Sequence, residues 1–215
     1  VVVGGDGRPL CCGRTYLGTG MVEQARAEAQ RTLDALLPHV RAGAAVVGLE
    51  PSCLLSLRDE FLVLKLGDGA RELAPASFLF EEFVAREAQA GRFRVAFRPL
   101  PRTALLHGHC HQKAFGAMPS VQAALALVPE LKVQTIESSC CGMAGSFGYE
   151  AAHQQVSMAM AEASLLPAVR AAAADALIVA DGTSCRHQIH DGAQRDVLHV
   201  AQVLAMALPA SVAAG

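Results

Sequence analysis

One tripeptide occurs twice in the chain, as Cys11-Cys12-Gly13 and as Cys140-Cys141-Gly142, at a separation of 129 positions. The offset persists beyond the cysteines. Leu36-Leu37-Pro38 returns as Leu165-Leu166-Pro167, and Val40-Arg41-Ala42 returns as Val169-Arg170-Ala171. With three residues inserted, Val46-Val47-Gly48-Leu49-Glu50-Pro51-Ser52-Cys53 then aligns with Ile178-Val179-Ala180-Asp181-Gly182-Thr183-Ser184-Cys185. A fixed period preserved over this length is the mark of a duplicated structural unit. Each unit is expected to hold a Cys-Cys-Gly turn, a long helix, a β-run and a loop ending in Ser-Cys. The units are placed at residues 1–98 and 99–215, and are expected to superpose through a pseudo-twofold relation. The opening residues, Val1-Val2-Val3-Gly4-Gly5-Asp6-Gly7-Arg8, read as a strand end running into a Gly-rich loop. The first unit is therefore expected to be truncated at its amino end, within a larger protein.

A chain of 215 residues accommodates one large domain or two small, closely packed ones. Its 52% hydrophobic content excludes the disordered classes. Eighteen Lys and Arg against twenty Asp and Glu leave no basic surplus for a phosphate backbone, so nucleic acid is not an expected partner. Val197 to Gly215 carries no formal charge, but His199, Gln202 and Pro209 interrupt it. Val197, Val200, Val203 and Leu204 recur there at helical spacing, which predicts a terminal helix packed on the core of a soluble chain. A membrane span requires about 20 uninterrupted apolar residues.

The Ala-rich segments Glu23–Val40 and Ala151–Ala173 predict helices. Short apolar runs at Ala44–Leu49 and Ala176–Ala180 predict buried parallel strands, with further candidates at Val95–Phe97, Thr103–Leu106 and Lys132–Ile136. Ala76–Ala90 has Phe78, Leu79, Phe83 and Val84 on one side and predicts an amphipathic helix. Strands alternating with helices give an α/β fold with parallel sheets flanked by helices. Function in such sheets gathers in loops at the carboxyl ends of strands. Cys53, Cys110, Cys140, Cys141 and Cys185 each follow a β-run.

Seven cysteines, an odd number with two vicinal pairs and no secretory signal, do not read as a disulfide framework. Four thiols of the second unit, Cys110, Cys140, Cys141 and Cys185, come from three strand ends and suit one metal centre. Zinc and a [4Fe–4S] cluster both accept four sulfurs. The long-range spacing, with no Cys-x-x-Cys knuckle, favours the cluster; inert buried thiols are a third reading. His109, His187 and His190 lie close in sequence and are expected to donate hydrogen bonds rather than to ligate, with His111 the one best placed to point at a sulfur. Gly142, Gly145 and Gly148 lack the Lys-Ser/Thr of a phosphate loop and read as room for backbone beside the centre. Met158, Met160 and Met206 read as core.

These motifs resemble the cysteine-rich CCG domain. It occurs in one of the subunits of heterodisulfide reductase, the glycolate oxidase iron–sulfur subunit, the anaerobic glycerol-3-phosphate dehydrogenase small subunit and lactate-utilisation proteins. The second unit carries the pattern as His107-Gly108-His109-Cys110-His111, then Cys140-Cys141-Gly142, then Cys185. The first matches from Cys11-Cys12-Gly13 through Pro51-Ser52-Cys53, and its opening cysteine falls before Val1. The chain is also similar to the carboxyl-terminal region of large bacterial FAD-linked oxidases. Members with five ligands per unit end in Cys-x-x-Cys. Here Ser56 and Gln188 stand at those places, so a noncubane cluster is not expected.

The resemblance implies cofactor binding by Cys11, Cys12, Cys53, Cys110, Cys140, Cys141 and Cys185. Cys110, Cys140, Cys141 and Cys185 would be the metal ligands, supported by His107, His111 and Gly142. It implies an electron-transfer part of a flavin-linked 2-hydroxy-acid dehydrogenase or oxidase, with FAD in a neighbouring domain and electrons passed to an acceptor. The expected place is the cytoplasm, peripheral at the inner membrane. A zinc-stabilised docking domain without a redox role is the alternative.

Overall fold

The computed structural model describes residues 7–209, so the readings of Val1–Asp6 and of residues 210–215 lie outside the described residues. The chain forms two compact units that divide between Leu79 and Phe80. The first runs α1 (Arg14–Gly18), α2 (Val22–Arg41), β1 (Val46–Gly48), α3 (Pro51–Ser56), α4 (Glu60–Val63), α5 (Asp68–Leu73) and β2 (Ser77–Leu79). β1 and β2 form a parallel pair, with Val47 opposite Phe78. Helix α2 is rich in Ala, with Glu23 in its first turn and His39 and Arg41 in its last, each sign matched to the helix dipole.

The second unit runs α6 (Phe80–Gln89), β3 (Thr103–Leu106), α7 (Cys110–Ala114), α8 (Met118–Leu125), β4 (Lys132–Thr135), α9 (Gln154–Glu162), α10 (Leu165–Ala171), β5 (Leu177–Val179), α11 (Thr183–Ala193), β6 (Val197–Leu198) and α12 (Val200–Met206). Its sheet is parallel throughout, in the order β4-β3-β5-β6. Side chains alternate across a strand, and this alternation builds two cores. Ala104, Leu106, Leu177 and Val179 pack with Val84 of α6, Val121 and Leu125 of α8, and Val203 of α12. Ile178 faces the other way and joins Leu165 and Val169 of α10 and Ile189 of α11. Burying such a side chain contributes roughly 1.5–3 kcal/mol, which explains why β5 is apolar on both faces. Cys141 and Cys185 belong to this second core. The core therefore runs directly into the thiols.

The α/β class with parallel, helix-flanked sheets is as expected, but Met160 and Met206, read as core, are exposed on the outer faces of their helices, and further local readings change. Ser77–Leu79 forms strand β2, so the helix foreseen over Ala76–Ala90 begins only at Phe80. Val95–Phe97 forms no strand; there Arg98 donates its backbone N–H to the Ala207 carbonyl at 2.7 Å and its side chain to the Leu208 carbonyl at 2.8 Å. The chain serves the end of α12 instead of a sheet edge. The helix foreseen over Ala151–Ala173 is two helices, broken at Ala163–Ser164. Pro167 lacks an N–H to return to the Ala163 carbonyl, and its ring crowds that turn. Val197–Leu198 pairs with β5 before the terminal helix starts.

Candidate metal centre

The neighbouring parallel strands β4, β3 and β5 end on the same edge, and the chain leaving each carries cysteine. Cys110 is the first residue of α7 after β3, Cys140 and Cys141 lie in the loop after β4, and Cys185 lies in the first turn of α11 after β5. The structure brings these four sulfurs into one run. Cys110 is hydrogen-bonded to Cys140, Cys140 to Cys141, and Cys141 to Cys185, whose sulfurs are 3.3 Å apart. Cys141 and Cys185 are buried, Cys140 is half-buried and Cys110 is exposed.

The thiols are shifted in alternate directions along that run. Hydrogen bonds from Cys110 and Cys141 hold the Cys140 thiol far below its ordinary value, and Cys141 does the same for Cys185. The donors are pushed up correspondingly: Cys110 by its bond to Cys140, and Cys141 by its bonds to Cys140 and Cys185. Four sulfurs packed this closely could not all be ionised without a cation among them. A four-sulfur donor set of this kind fits zinc or an iron–sulfur cluster.

The backbone is arranged for anionic sulfur. Gly142 donates its N–H to Cys140 Sγ at 3.3 Å. Further N–H groups reach Cys140 from Ala144, Cys141 from Met143 and Cys110 from His111. This requires a left-handed turn: Gly142 has φ 90°, and a Cβ there would lie 2.1 Å from the Ser157 carbonyl oxygen. Gln188, three residues after Cys185, donates to that carbonyl at 3.1 Å and to Ser157 Oγ at 3.0 Å. Lys113 holds the approaching loop by donating to the Ser139 carbonyl at 2.9 Å and to the Ser138 carbonyl.

Among the described histidines, His107 lies beside the two buried sulfurs. It is buried, one nitrogen of its ring lies within 4.8 Å of Cys141 and Cys185, and its Nδ1 bonds Ser138 Oγ at 2.9 Å. His109 caps α7. Its Nδ1 accepts from the His111 N–H at 3.2 Å, while Gln112 Oε1 accepts the His109 N–H at 2.9 Å. The ring of His111 stacks on His109, and a ring nitrogen of each lies within 4.8 Å of Cys110 Sγ. His187 bonds Tyr149 Oη at 2.6 Å.

The first unit repeats part of this pattern. Gly13 has φ 77° and donates to Cys11 Sγ at 3.4 Å, and Cys12 and Cys53 are hydrogen-bonded. Cys53 lowers the Cys12 thiol to about 6, while Cys53 itself is pushed up by Cys12. All three cysteines line a cavity of about 270 Å³ with Leu10, Leu49 and Leu54.

Sequence reasoning passed over three buried residues beside this region: Glu81, Gln112 and Asp181. One signal was legible. His109-x-x-Gln112 is a capping box in which His replaces the usual Ser or Thr, and His199-x-x-Gln202 repeats it at α12.

A parallel sheet whose carboxyl edge gathers cysteine thiols from three successive loops defines a cysteine-rich α/β unit with a candidate metal centre. Residues 104–190, within the second unit, match the family model of the CCG cysteine-rich domain. One of the subunits of anaerobic glycerol-3-phosphate dehydrogenase from Escherichia coli (strain K12) is 27% identical over 199 residues, 92% of this chain and 49% of that protein. D-2-hydroxyglutarate dehydrogenase from the same organism is 28% identical over 188 residues, 86% of this chain and 18% of that protein. The Pseudomonas putida protein of that name is 28% identical over 165 residues, 75% of this chain and 15% of its own length. The chain spans about half the length of the first relative and less than a fifth of the other two.

Proposed function

We propose that this chain is the iron–sulfur electron-transfer part of a flavin-linked 2-hydroxy-acid dehydrogenase or oxidase. Cys110, Cys140, Cys141 and Cys185 hold a [4Fe–4S] cluster in this reading, and Cys11, Cys12 and Cys53 contribute thiolates to a second site. The observation that carries it is the unbroken run of four sulfurs at the sheet edge, from Cys110 through Cys140 and Cys141 to Cys185. Two relatives are named as dehydrogenases of a 2-hydroxy acid, and a third as part of a glycerol-3-phosphate dehydrogenase, which supports a flavin-linked setting. The duplication, with units 1–98 and 99–215, belongs to the same proposal.

When bound, the cluster supplies one-electron acceptance and release, at a potential set by charge, burial and hydrogen bonds to sulfur. The protein's own groups set those terms. Gly142, Met143, Ala144 and His111 direct N–H groups at the sulfurs and favour their anionic form. Burial of Cys141 and Cys185 excludes water from one side, and half-exposed Cys140 and exposed Cys110 leave the other side open to a partner. Oxidation of the hydroxy acid takes place at FAD in a neighbouring domain, and electrons leave singly for an acceptor. No helix of the described residues is long and apolar enough to cross a membrane. A cytoplasmic chain, peripheral at the inner membrane, fits this reading.

Anaerobic purification with iron, acid-labile sulfide and zinc analysis tests the centre. Iron and sulfide in equal amounts with visible absorption support it; stoichiometric zinc without sulfide supports the docking domain instead. The division of labour is tested in the parent enzyme with Cys141→Ala. Stopped-flow reduction of flavin by substrate should persist while turnover with the acceptor is lost. Collapse of both in a folded variant overturns the electron-relay reading.

A further inference from the structure

Four polar side chains from separate elements meet in the interior of the second unit. They are Glu81 of α6, Gln112 of α7, Asp181 after β5, and His199 at the start of α12, each more than nine-tenths buried. Gln112 is the hub. Its Oε1 accepts the His109 backbone N–H at 2.9 Å, and its Nε2 donates to Glu81 Oε1 at 2.5 Å and to Asp181 Oδ2 at 2.7 Å. With an acceptor on each side of Nε2 and a donor facing Oε1, the amide has one possible orientation. Asp181 Oδ1 accepts the Val200 N–H at 2.9 Å and lies 3.3 Å from His199 Nε2. Glu81 Oε2 is different. It is buried and meets no donor, while carboxylate oxygens of Glu81 and Asp181 and a ring nitrogen of His199 lie within 4.8 Å of one another.

Two carboxylates facing each other in the interior need a positive charge between them, and either a divalent cation or a proton meets the need. His199 decides between them. Its Nδ1 accepts the Ala201 backbone N–H at 2.9 Å, so the proton of the neutral ring is on Nε2, the nitrogen that faces Asp181. A nitrogen carrying a proton donates to a carboxylate and does not coordinate a metal. A proton on Glu81 Oε2, given to Asp181, leaves every group of the network paired. We infer that Glu81 is held as the carboxylic acid, sharing its proton with Asp181, and that this pair is a positioning element of the thiol centre. Through Gln112 it fixes the start of the helix that bears Cys110, and through Asp181 the turn that enters the helix bearing Cys185. The second half of this inference rests on the metal-centre reading above; the first half does not.

The chemistry around Glu81 agrees. Burial, with the Asp181 charge beside it, raises the Glu81 carboxyl to about 8. Helices α8 and α12, which pack against α6, carry no titratable side chain, and α7, which bonds Glu81 through Gln112, carries Cys110, His111 and Lys113; among the described residues the ionisable groups placed within 4.8 Å of the Glu81 carboxylate are Asp181 and His199. With the folded value above the unfolded one, the folded chain binds the extra proton. Its contribution is full below the ordinary carboxylate range and is lost as pH rises through about 8.

The test compares the full chain with Glu81→Gln, whose amide accepts from Gln112 and donates to Asp181 as the acid does, and with Glu81→Ala. Unfolding is measured on metal-free protein from pH 5 to 9, and on the same samples after anaerobic iron loading, the rate of cluster loss to a chelator. The wild-type unfolding constant should rise relative to that of Glu81→Gln by up to about tenfold per pH unit across the window. Glu81→Ala should be destabilised at every pH. Cluster loss should accelerate with pH in the wild type and stay flat in Glu81→Gln. Equal pH slopes in the two proteins would overturn the shared proton. So would a wild-type midpoint raised by added Mg²⁺, Mn²⁺ or Zn²⁺ where that of Glu81→Gln is not, because that result marks a metal site. A slope difference in unfolding without one in cluster loss overturns the positioning role alone. A chain that binds no iron but keeps the unfolding difference sinks the metal-centre reading and leaves the protonated pair standing.

Discussion

The two Cys-Cys-Gly turns begin from the same three residues and do not end in the same environment. In both, the glycine is left-handed and donates to the sulfur two residues before it, at 3.4 Å for Cys11 and 3.3 Å for Cys140. In both, the second cysteine is hydrogen-bonded to the cysteine of the Ser-Cys loop. The surroundings differ. Cys185 and Cys141 are 1% and 3% exposed and extend a core, whereas Cys53 is exposed and Cys12 is half-buried beside a cavity. Strand β5 is flanked by β3 and β6, while among the described residues β1 pairs with β2 alone and leaves Val47 exposed. The turn itself is local and survives in both units. The burial that makes a thiolate site depends on flanking strands that bring further cysteines.

That contrast predicts the largest difference for the thiols themselves. Cys141→Ala should remove nearly all metal from the second unit, because it deletes the sulfur that bridges Cys140 and Cys185. Cys12→Ala should leave the second unit's metal and visible spectrum unchanged. Metal analysis and absorption of the two anaerobically loaded variants check this, and equal losses would remove the asymmetry. Folding is coupled to metal binding, so Cys141→Ala should also unfold earlier than the loaded parent.

The glycines come next. Gly142→Ala places Cβ 2.1 Å from the Ser157 carbonyl oxygen at φ 90°, and Gly13→Ala places it 2.6 Å from the Ala25 carbonyl oxygen at φ 77°. Backbone oxygens cannot swing aside as side chains do. Losses of about 3 kcal/mol at Gly142 and about 2 kcal/mol at Gly13 are expected in denaturant unfolding. The order sharpens the comparison, since the tighter turn is the one built into a core.

Accessibility gives a third contrast. In the chain freed of metal the Cys12–Cys53 pair, in which Cys53 is exposed and the Cys12 thiol is lowered to about 6, should be alkylated by iodoacetamide at least about tenfold faster than Cys185, whose reaction requires local opening. Peptide mass mapping over a time course reads both sites at once. Similar rates would mean that the second core opens as readily as the first unit's exposed loop.

Much of this was legible in the chain. Thr103–Leu106 and Lys132–Thr135 are strands where alternating and apolar runs placed them, and the rule that parallel strands present function at their carboxyl ends brought Cys110, Cys140, Cys141 and Cys185 to one edge. Local periodicity failed where tertiary partners decided the outcome. Ser77–Leu79 reads as the start of an amphipathic helix, but Val46–Gly48 recruits it as a strand. Pro38 sits inside α2, whereas its counterpart Pro167 lies just inside a new helix, so the same tripeptide accompanies one helix in the first unit and two in the second. Glu81 was invisible for a related reason: a Glu-Glu pair in an amphipathic helix reads as a solvent face, and its burial depends on Gln112 and Asp181, distant in sequence.

The smallest effect concerns the positions three residues beyond each loop cysteine, Ser56 and Gln188. Both are buried and both tie their turn together by different means. Ser56 donates to the Ser52 carbonyl at 2.8 Å within its own helix, a bond that closes locally. Gln188 reaches across to Ser157 with two bonds, and Ser157 carries the carbonyl under which Gly142 turns. Removing Gln188 takes two hydrogen bonds from buried Ser157 and unties α11 from α9, whereas removing the Ser56 hydroxyl takes one bond that closes within a single helix. Gln188→Ala should therefore cost about 2 kcal/mol and Ser56→Ala about 0.5–1 kcal/mol in unfolding free energy. Only Gln188→Ala should also alter the second centre, as a shift in the visible spectrum of the loaded chain, because it alone supports the turn that points Gly142 N–H at Cys140. If Ser56→Ala proves as costly as Gln188→Ala, or if neither moves the spectrum, then Gln188 packs beside the centre without holding it.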